Sequence, residues 1–151
     1  VGSDFPVFAD IQKYVVDAGK AAGAGDQVGT VLYNRGVYAA FLAAEAAATA
    51  QAMTGTSQIT GSDMRNAMEA LEINEAKMAA AGLPGFGPTF TVTCENHGGG
   101  GMAAVSQWDA ASQSWSLISD FSASDSSIVD PLIMADSAAY ATENNLPERC
   151  N

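Results

Sequence analysis

Basic residues are scarce in this sequence. Six Lys and Arg stand against 17 Asp and Glu among 151 residues, a formal net charge of -11. Phosphate backbones and anionic membrane surfaces are bound by clustered Lys and Arg, so the charge argues against nucleic acid and anionic lipid as partners. No apolar run reaches the ~18 residues of a transmembrane helix. No basic start precedes an apolar block, as it would in a signal peptide.

Large apolar side chains are scarce as well. Val, Ile, Leu and Phe together number 29, and alanine alone also numbers 29. Such a shortage with high net charge is typical of disorder, but only 15% of residues are charged and several segments have helical periodicity. We predict a folded chain whose alanine-rich helices need close neighbours. Because Val1 is not a translation start, we expect a processed protein or a piece of a longer one.

Helical and extended patterns both occur, which predicts a mixed fold of the α/β or α+β class. Helices are expected at residues 4–19, 37–53, after a capping box at 60–63, at 74–81, and from Asp130-Pro131 onward. Extended segments are expected at residues 30–33, 89–94, 102–108 and 115–121, with a polar loop that indicates a hairpin between the last two. The strands are few for a self-sufficient sheet, which again indicates that part of the domain lies elsewhere.

The chemistry-bearing residues Cys and His are also few: Cys94, Cys150 and His97. Both cysteines lie in polar or strand-end contexts, which favours a disulfide over two buried thiols. In the chain-entropy model such a disulfide stabilises the folded chain by about 4 kcal/mol. The nearness of Cys94 to His97 leaves a Cys–His catalytic pair as an alternative. A closed zinc site takes about four ligands, and no further Cys or His is available. We therefore predict no metal.

A run of four glycines at residues 98–101 has the composition of a phosphate-binding loop. Such a loop follows a strand, opens a helix and carries a Lys with a Ser or Thr behind it. Here a strand-like segment follows and no Lys is near, so we interpret the run as a flexible connection.

The most informative polar group is Tyr33, Asn34 and Arg35, between an expected extended segment and a long helix. Strand-to-helix turns are where open α/β sheets place ligands. Arg35 is suited to bidentate binding of a carboxylate, and Tyr33 offers a ring and a hydroxyl. From spacing alone, a structural turn in which Arg35 pairs with an acidic neighbour is the favoured interpretation.

Eight short segments in one order carry a resemblance to a known family. They are residues 2–7 (GSDFPV), 28–37 (VGTVLYNRGV), 59–61 (ITG), 68–72 (MEALE), 84–88 (PGFGP), 93–99 (TCENHGG), 107–109 (QWD) and 115–120 (WSLISD). Their order resembles the C-terminal part of the type I periplasmic solute-binding proteins of ABC transporters, above all the branched-chain amino acid receptors. Glu95 and His97 belong to one of these segments but receive no binding role from it.

The resemblance implies an α/β fold that is part of a two-lobed, Venus-flytrap structure and is incomplete on its own. Residues 1–151 would be a C-terminal segment that contributes to both lobes and to the hinge. Tyr33 would line the ligand cleft as an aromatic wall, with Asn34 and Arg35 as neighbouring polar contacts. A Cys94–Cys150 disulfide would fit an export compartment, so we expect a periplasmic location.

The function expected from this resemblance is non-catalytic. The protein would be the extracytoplasmic solute-binding component of an ABC importer, closing two lobes on a small polar solute such as an amino acid or a related amide or acid. Its partners would be that solute, the missing N-terminal part of the receptor and the transporter's permease, with no cofactor. Two alternatives stay open: a small hydrolase-like enzyme using Cys94 and His97, and a sensory module with the receptor fold.

Thiol titration separates the enzyme from the other interpretations. Without reductant, the denatured chain is expected to show no reactive thiol, and after reduction it should show both. Two thiols that alkylate without reductant would contradict the disulfide and favour the Cys–His enzyme.

Overall fold

A computed structural model describes residues 2–23, 25–147 and Cys150. The chain divides into two compact units, residues 1–93 (unit 1) and residues 94–151 (unit 2). Among the residues so described, no helix combines the length and apolar character that crossing a bilayer requires.

Unit 1 is mostly helical. Its elements are α1 (Pro6–Ile11), a π-helical turn (Gln12–Val16), a 3₁₀ turn (Gly25–Gln27), α2 (Val31–Thr54), α3 (Gly61–Met68), β1 (Glu72–Ile73), α4 (Glu75–Ala80) and β2 (Phe90–Thr91). The strands β1 and β2 pair antiparallel, and the N–H of Val92 extends the pairing by donating to the Leu71 carbonyl at 2.8 Å.

Local caps set several of these helix ends. Thr60 and Asp63 form the expected capping box, in which Thr60 Oγ1 accepts from the Asp63 N–H at 3.2 Å and Asp63 Oδ2 accepts from the Thr60 N–H at 2.8 Å. Asn74 caps α4 by accepting from the Lys77 N–H at 3.0 Å. Gly55 ends α2 in the left-handed conformation with φ 69°, which glycine adopts without steric cost.

The core of unit 1 lies between α2 and the segment that runs from α3 to residue 83. Ile73, Met78 and Leu83 are its most deeply buried large side chains, and Phe41 contributes from α2. Burial of each large side chain contributes roughly 1.5–3 kcal/mol. The alanine-rich α2 therefore depends on this cluster for its stability, as the sequence analysis expects of such helices.

Two sequence predictions about helix starts are wrong. Residues 30–33 are not an extended segment, because α2 begins at Val31 and runs for 24 residues; propagation along the alanine-rich helix outweighs the β-propensity of three residues. The last helix, α5 (Ser126–Glu143), begins before Asp130, because Asp125 Oδ1 accepts from the Ser127 N–H at 3.0 Å and caps it there. Pro131 consequently lies inside the helix and removes one of its hydrogen bonds.

Unit 2 consists of paired short strands, a disulfide and α5. Its strands are β3 (Met102–Ala103), β4 (Ser106–Asp109), β5 (Ser114–Leu117) and β6 (Ser122–Ala123). The expected hairpin is present: β4 pairs antiparallel with β5, which places Trp108 opposite Trp115. β3 pairs with β6. Cys94 and Cys150 form a disulfide with a Cα–Cα distance of 5.4 Å, within the usual range.

Every strand pair in the described residues is antiparallel and two strands wide. The α/β class expected from the sequence stays a prediction.

The loop after α4 provides a stability test because it holds two glycines with nearly the same backbone angle. Gly82 (φ 72°) would place a Cβ 2.8 Å from the Val7 backbone nitrogen, whereas Gly85 (φ 71°) has nothing within 4 Å. We expect Gly85→Ala to cost about 1 kcal/mol of left-handed strain. Gly82→Ala should cost roughly 1–3 kcal/mol more, because α1 must move and its Val7–Gly82 hydrogen bond is lost.

Urea unfolding followed by circular dichroism at both variants measures this difference. Equal losses of stability would show that α1 does not pack on Gly82 as described.

Candidate functional site

The three residues singled out by the sequence lie in the first turn of α2. Tyr33 is half-buried, with its ring centroid 6.5 Å from that of Phe8. Asn34 is only 5% exposed, and Arg35 is exposed. Successive helical residues are rotated by ~100° from one another, so the three side chains do not share one face. Their role as ligand contacts stays a prediction.

Asn34 connects the N-terminal segment to α2 by a hydrogen bond. Its Nδ2 donates to the Gly2 carbonyl oxygen at 2.9 Å. The same segment is held further along by the Val7 N–H, which donates to the Gly82 carbonyl at 3.0 Å. Asn34 is therefore a structural residue of unit 1, with one half of its amide satisfied.

The other half of that amide is not satisfied. Asn34 Oδ1 and Tyr38 Oη are both buried and have no hydrogen-bond partner among the described residues. Asn34 and Tyr38 are four residues apart, so they lie on the same face of α2, one turn from each other. A buried polar atom left unpaired costs roughly 1–3 kcal/mol. This pair is the most unusual polar feature of unit 1.

Aromatic rings lie beside Tyr38. The Phe5 and Phe86 centroids lie 4.8 Å apart, and those of Tyr38 and Phe86 lie 5.7 Å apart. A Cβ added at Gly87 would come within 3.3 Å of Tyr38 Oη. This apolar enclosure raises the pKa of Tyr38 by desolvation. The hydroxyl consequently remains a neutral donor through the physiological pH range.

The sequence analysis missed Tyr38. The signal that could have identified it is the spacing of Asn34 and Tyr38 in an otherwise apolar helix. Polar side chains at i and i+4 share a helix face, and Tyr38 packs against the core cluster to which Phe41 of the same helix belongs.

An open depression of about 590 Å³ lies elsewhere in unit 1, at the β1–β2 pair. It is lined by Glu72, Ile73, Asn74, Glu75, Ala76, Thr89, Phe90 and Thr91. The polar groups here engage one another, since Asn74 Nδ2 donates to Glu72 Oε1 at 3.1 Å. The depression is shallow and acidic, and the buried unpartnered atoms lie instead on α2.

Catalysis by cysteine has no support in the geometry. Cys94 is bonded to Cys150, so it offers no thiolate to pair with His97. In the described part of the chain, no group of three or more His, Cys, Asp or Glu is placed to hold a metal ion.

The comparisons with known proteins give one informative relationship. No family model matches the chain, and no curated protein matches it. A solved crystal structure, described as an ABC transporter permease from the Pseudomonas fluorescens group, matches with a TM-score of 0.88 and 38% sequence identity. The match covers 99% of this chain and 36% of that one. The chain thus spans about a third of its neighbour's length and is similar, over that third, to an ABC transporter protein.

This match corrects the family resemblance proposed from the sequence. The neighbour is described as a permease, not as a periplasmic solute-binding protein, so the identification as a branched-chain amino acid receptor is wrong. The expected function as the solute-binding component of an importer is wrong with it, and neither the enzyme nor the sensory alternative gains support. The resemblance rested on eight short segments, whereas the match extends over 99% of the chain.

Tyr38→Phe tests the unpartnered hydroxyl. At pH 7 we expect unfolding free energy to stay the same or to rise by up to about 1 kcal/mol, since a buried hydroxyl without a partner is removed. Above pH 10 the difference should grow. The raised folded-state pKa means that the unfolded Tyr38 loses its proton first, so the parent chain loses stability as pH rises while the variant does not suffer this loss.

Urea unfolding of both chains at pH 7 and in steps above pH 10 measures this difference. Tyr14→Phe, at an exposed ring, is the matched control and should parallel the parent chain. A Tyr38→Phe variant that is clearly less stable at pH 7 would mean that the hydroxyl has a partner.

Proposed function

We propose that this chain is part of an ABC transporter protein and works in solute transport, not as an enzyme. The observation that supports this most strongly is the 38% identity and TM-score of 0.88 over 99% of the chain. A shared fold alone would be weak support, because one fold hosts many functions. Here sequence and structure agree along the whole chain.

The transport activity, in this proposal, belongs to a longer polypeptide. The matched region is 36% of the neighbour's length, so residues 1–151 would supply two structural units of that polypeptide. Their partners would be its remaining part and the other subunits of the transporter. The described side chains fit this role, since Asn34 binds the Gly2 carbonyl oxygen and Cys94 is held in a disulfide.

The disulfide of unit 2 supports a proposal for its compartment. Disulfides form and persist in oxidising compartments such as the periplasm and are rare in the cytosol. The Cys94–Cys150 bond therefore supports a periplasmic location for unit 2, on the outer side of the membrane in which such a transporter works.

Uptake measurements in the organism that encodes the chain test the proposed function. Deletion of the gene should abolish the energy-dependent uptake of at least one small solute from a labelled panel, and reintroduction of the gene should restore it. Solutes carried by other transporters are the control. An unchanged uptake profile across a broad panel would contradict a role in transport.

A further inference from the structure

The helix α5 carries an apolar stripe that faces solvent. Ile128, Leu132, Ala135 and Ala139, here called the α5 stripe, are spaced four, three and four residues apart. This spacing places them on one face of a helix, the pattern that normally packs against a core. All four are exposed, with Ile128 at 62% and Leu132 at 63%.

The described remainder of unit 2 has no core against which the α5 stripe could pack. None of the side chains described in residues 94–147, nor Cys150, is buried. Large apolar side chains are exposed there as well: Trp108, Trp115, Leu117, Ile118 and Phe121. A unit of this size held by one disulfide and two-stranded ladders lacks the apolar burial that stability requires. The apolar side chains of α5, the α5 stripe among them, therefore have no buried partner among the described residues of unit 2.

A second copy of the chain is a poor candidate to cover the α5 stripe. Residues 94–151 contain eight Asp and Glu and a single Arg, a formal charge of -7. Asp130 and Asp136 lie on α5 itself. Two copies docked through this helix would bring like charges together, which opposes association.

A longer polypeptide is a better candidate. In the neighbouring structure the same fold, with a TM-score of 0.88, is only 36% of the chain. The polypeptide outside the match is therefore larger than the matched part, and it is covalently linked, which raises its effective concentration at the stripe.

We propose that the α5 stripe is the surface on which the remainder of a longer polypeptide packs, corresponding to the part of the neighbour outside the match. The occupant presents an apolar face, and the small side chains of Ala135 and Ala139 let its backbone approach α5 closely. This proposal rests on the proposed function only in assuming the longer polypeptide.

One substitution measured in two contexts tests it. Leu132→Asp should leave the melting temperature of the 151-residue chain unchanged, because Leu132 is exposed there. In the full polypeptide of the natural gene, the same change should lower the melting temperature by about 5 °C or more, because a charge is buried. Asp136→Asn, a polar change on the same helix, is the matched control and should leave both unchanged.

Four results would overturn the proposal. An equal fall in melting temperature in both contexts would mean that residues within the 151-residue chain cover the stripe. No fall in either context would mean that nothing covers it. Dimerisation of the 151-residue chain that Leu132→Asp abolishes, seen by sedimentation, would assign the stripe to a second copy. A natural polypeptide no longer than these residues would leave no occupant. If uptake is unchanged but Leu132→Asp still lowers the melting temperature only in the full polypeptide, the transport function is refuted and the docking surface is supported.

Discussion

The burial of apolar side chains is confined to one half of the chain, and the rest of the account depends on this constraint. Every described buried residue lies between Phe8 and Leu83. Unit 1 has a core in which α2 packs on Ile73, Met78 and Leu83. Unit 2 is ordered by backbone pairing and a disulfide, and none of its described side chains is buried. Because apolar burial is the main favourable term in folding, the two units differ in what they need from outside.

The two units use their few large apolar residues differently. Unit 1 compensates for its alanine content by close packing, with Ala46, Ala50 and Ala67 buried. In unit 2 large apolar residues are present, but they are exposed. The incomplete domain that the composition and the few strands indicate stays a prediction, and none of the side chains described in residues 94–147, nor that of Cys150, is buried. We propose that the rest of a longer polypeptide covers these side chains, because the matched region is only 36% of the neighbouring ABC transporter protein.

The features that the sequence predicted well are those determined by neighbouring residues. The capping box at Thr60 and the hairpin that pairs Trp108 with Trp115 both follow from local chemistry. The start of α2 was not predictable in this way, because residues 31–33 favour strand locally and the helix is stabilised by contacts made further along by Phe41. For the same reason the sequence placed Asn34 in a strand-to-helix turn, whereas it lies inside α2 and its Nδ2 donates to the Gly2 carbonyl oxygen from a buried position. The segments that suggested a solute-binding receptor are short, the longest lies mostly in α2, and local stretches of this kind do not specify function.

Hydrogen exchange of the backbone amides in the 151-residue chain tests the central claim most directly, because it reports local stability residue by residue. We expect strong protection along the buried face of α2, in the turns that contain Phe41 and Ala46. We expect rapid exchange throughout α5, which becomes protected only in the full polypeptide of the natural gene. Protection of α5 equal to that of α2 in the 151-residue chain alone would contradict the claim that unit 2 depends on a surface outside these residues.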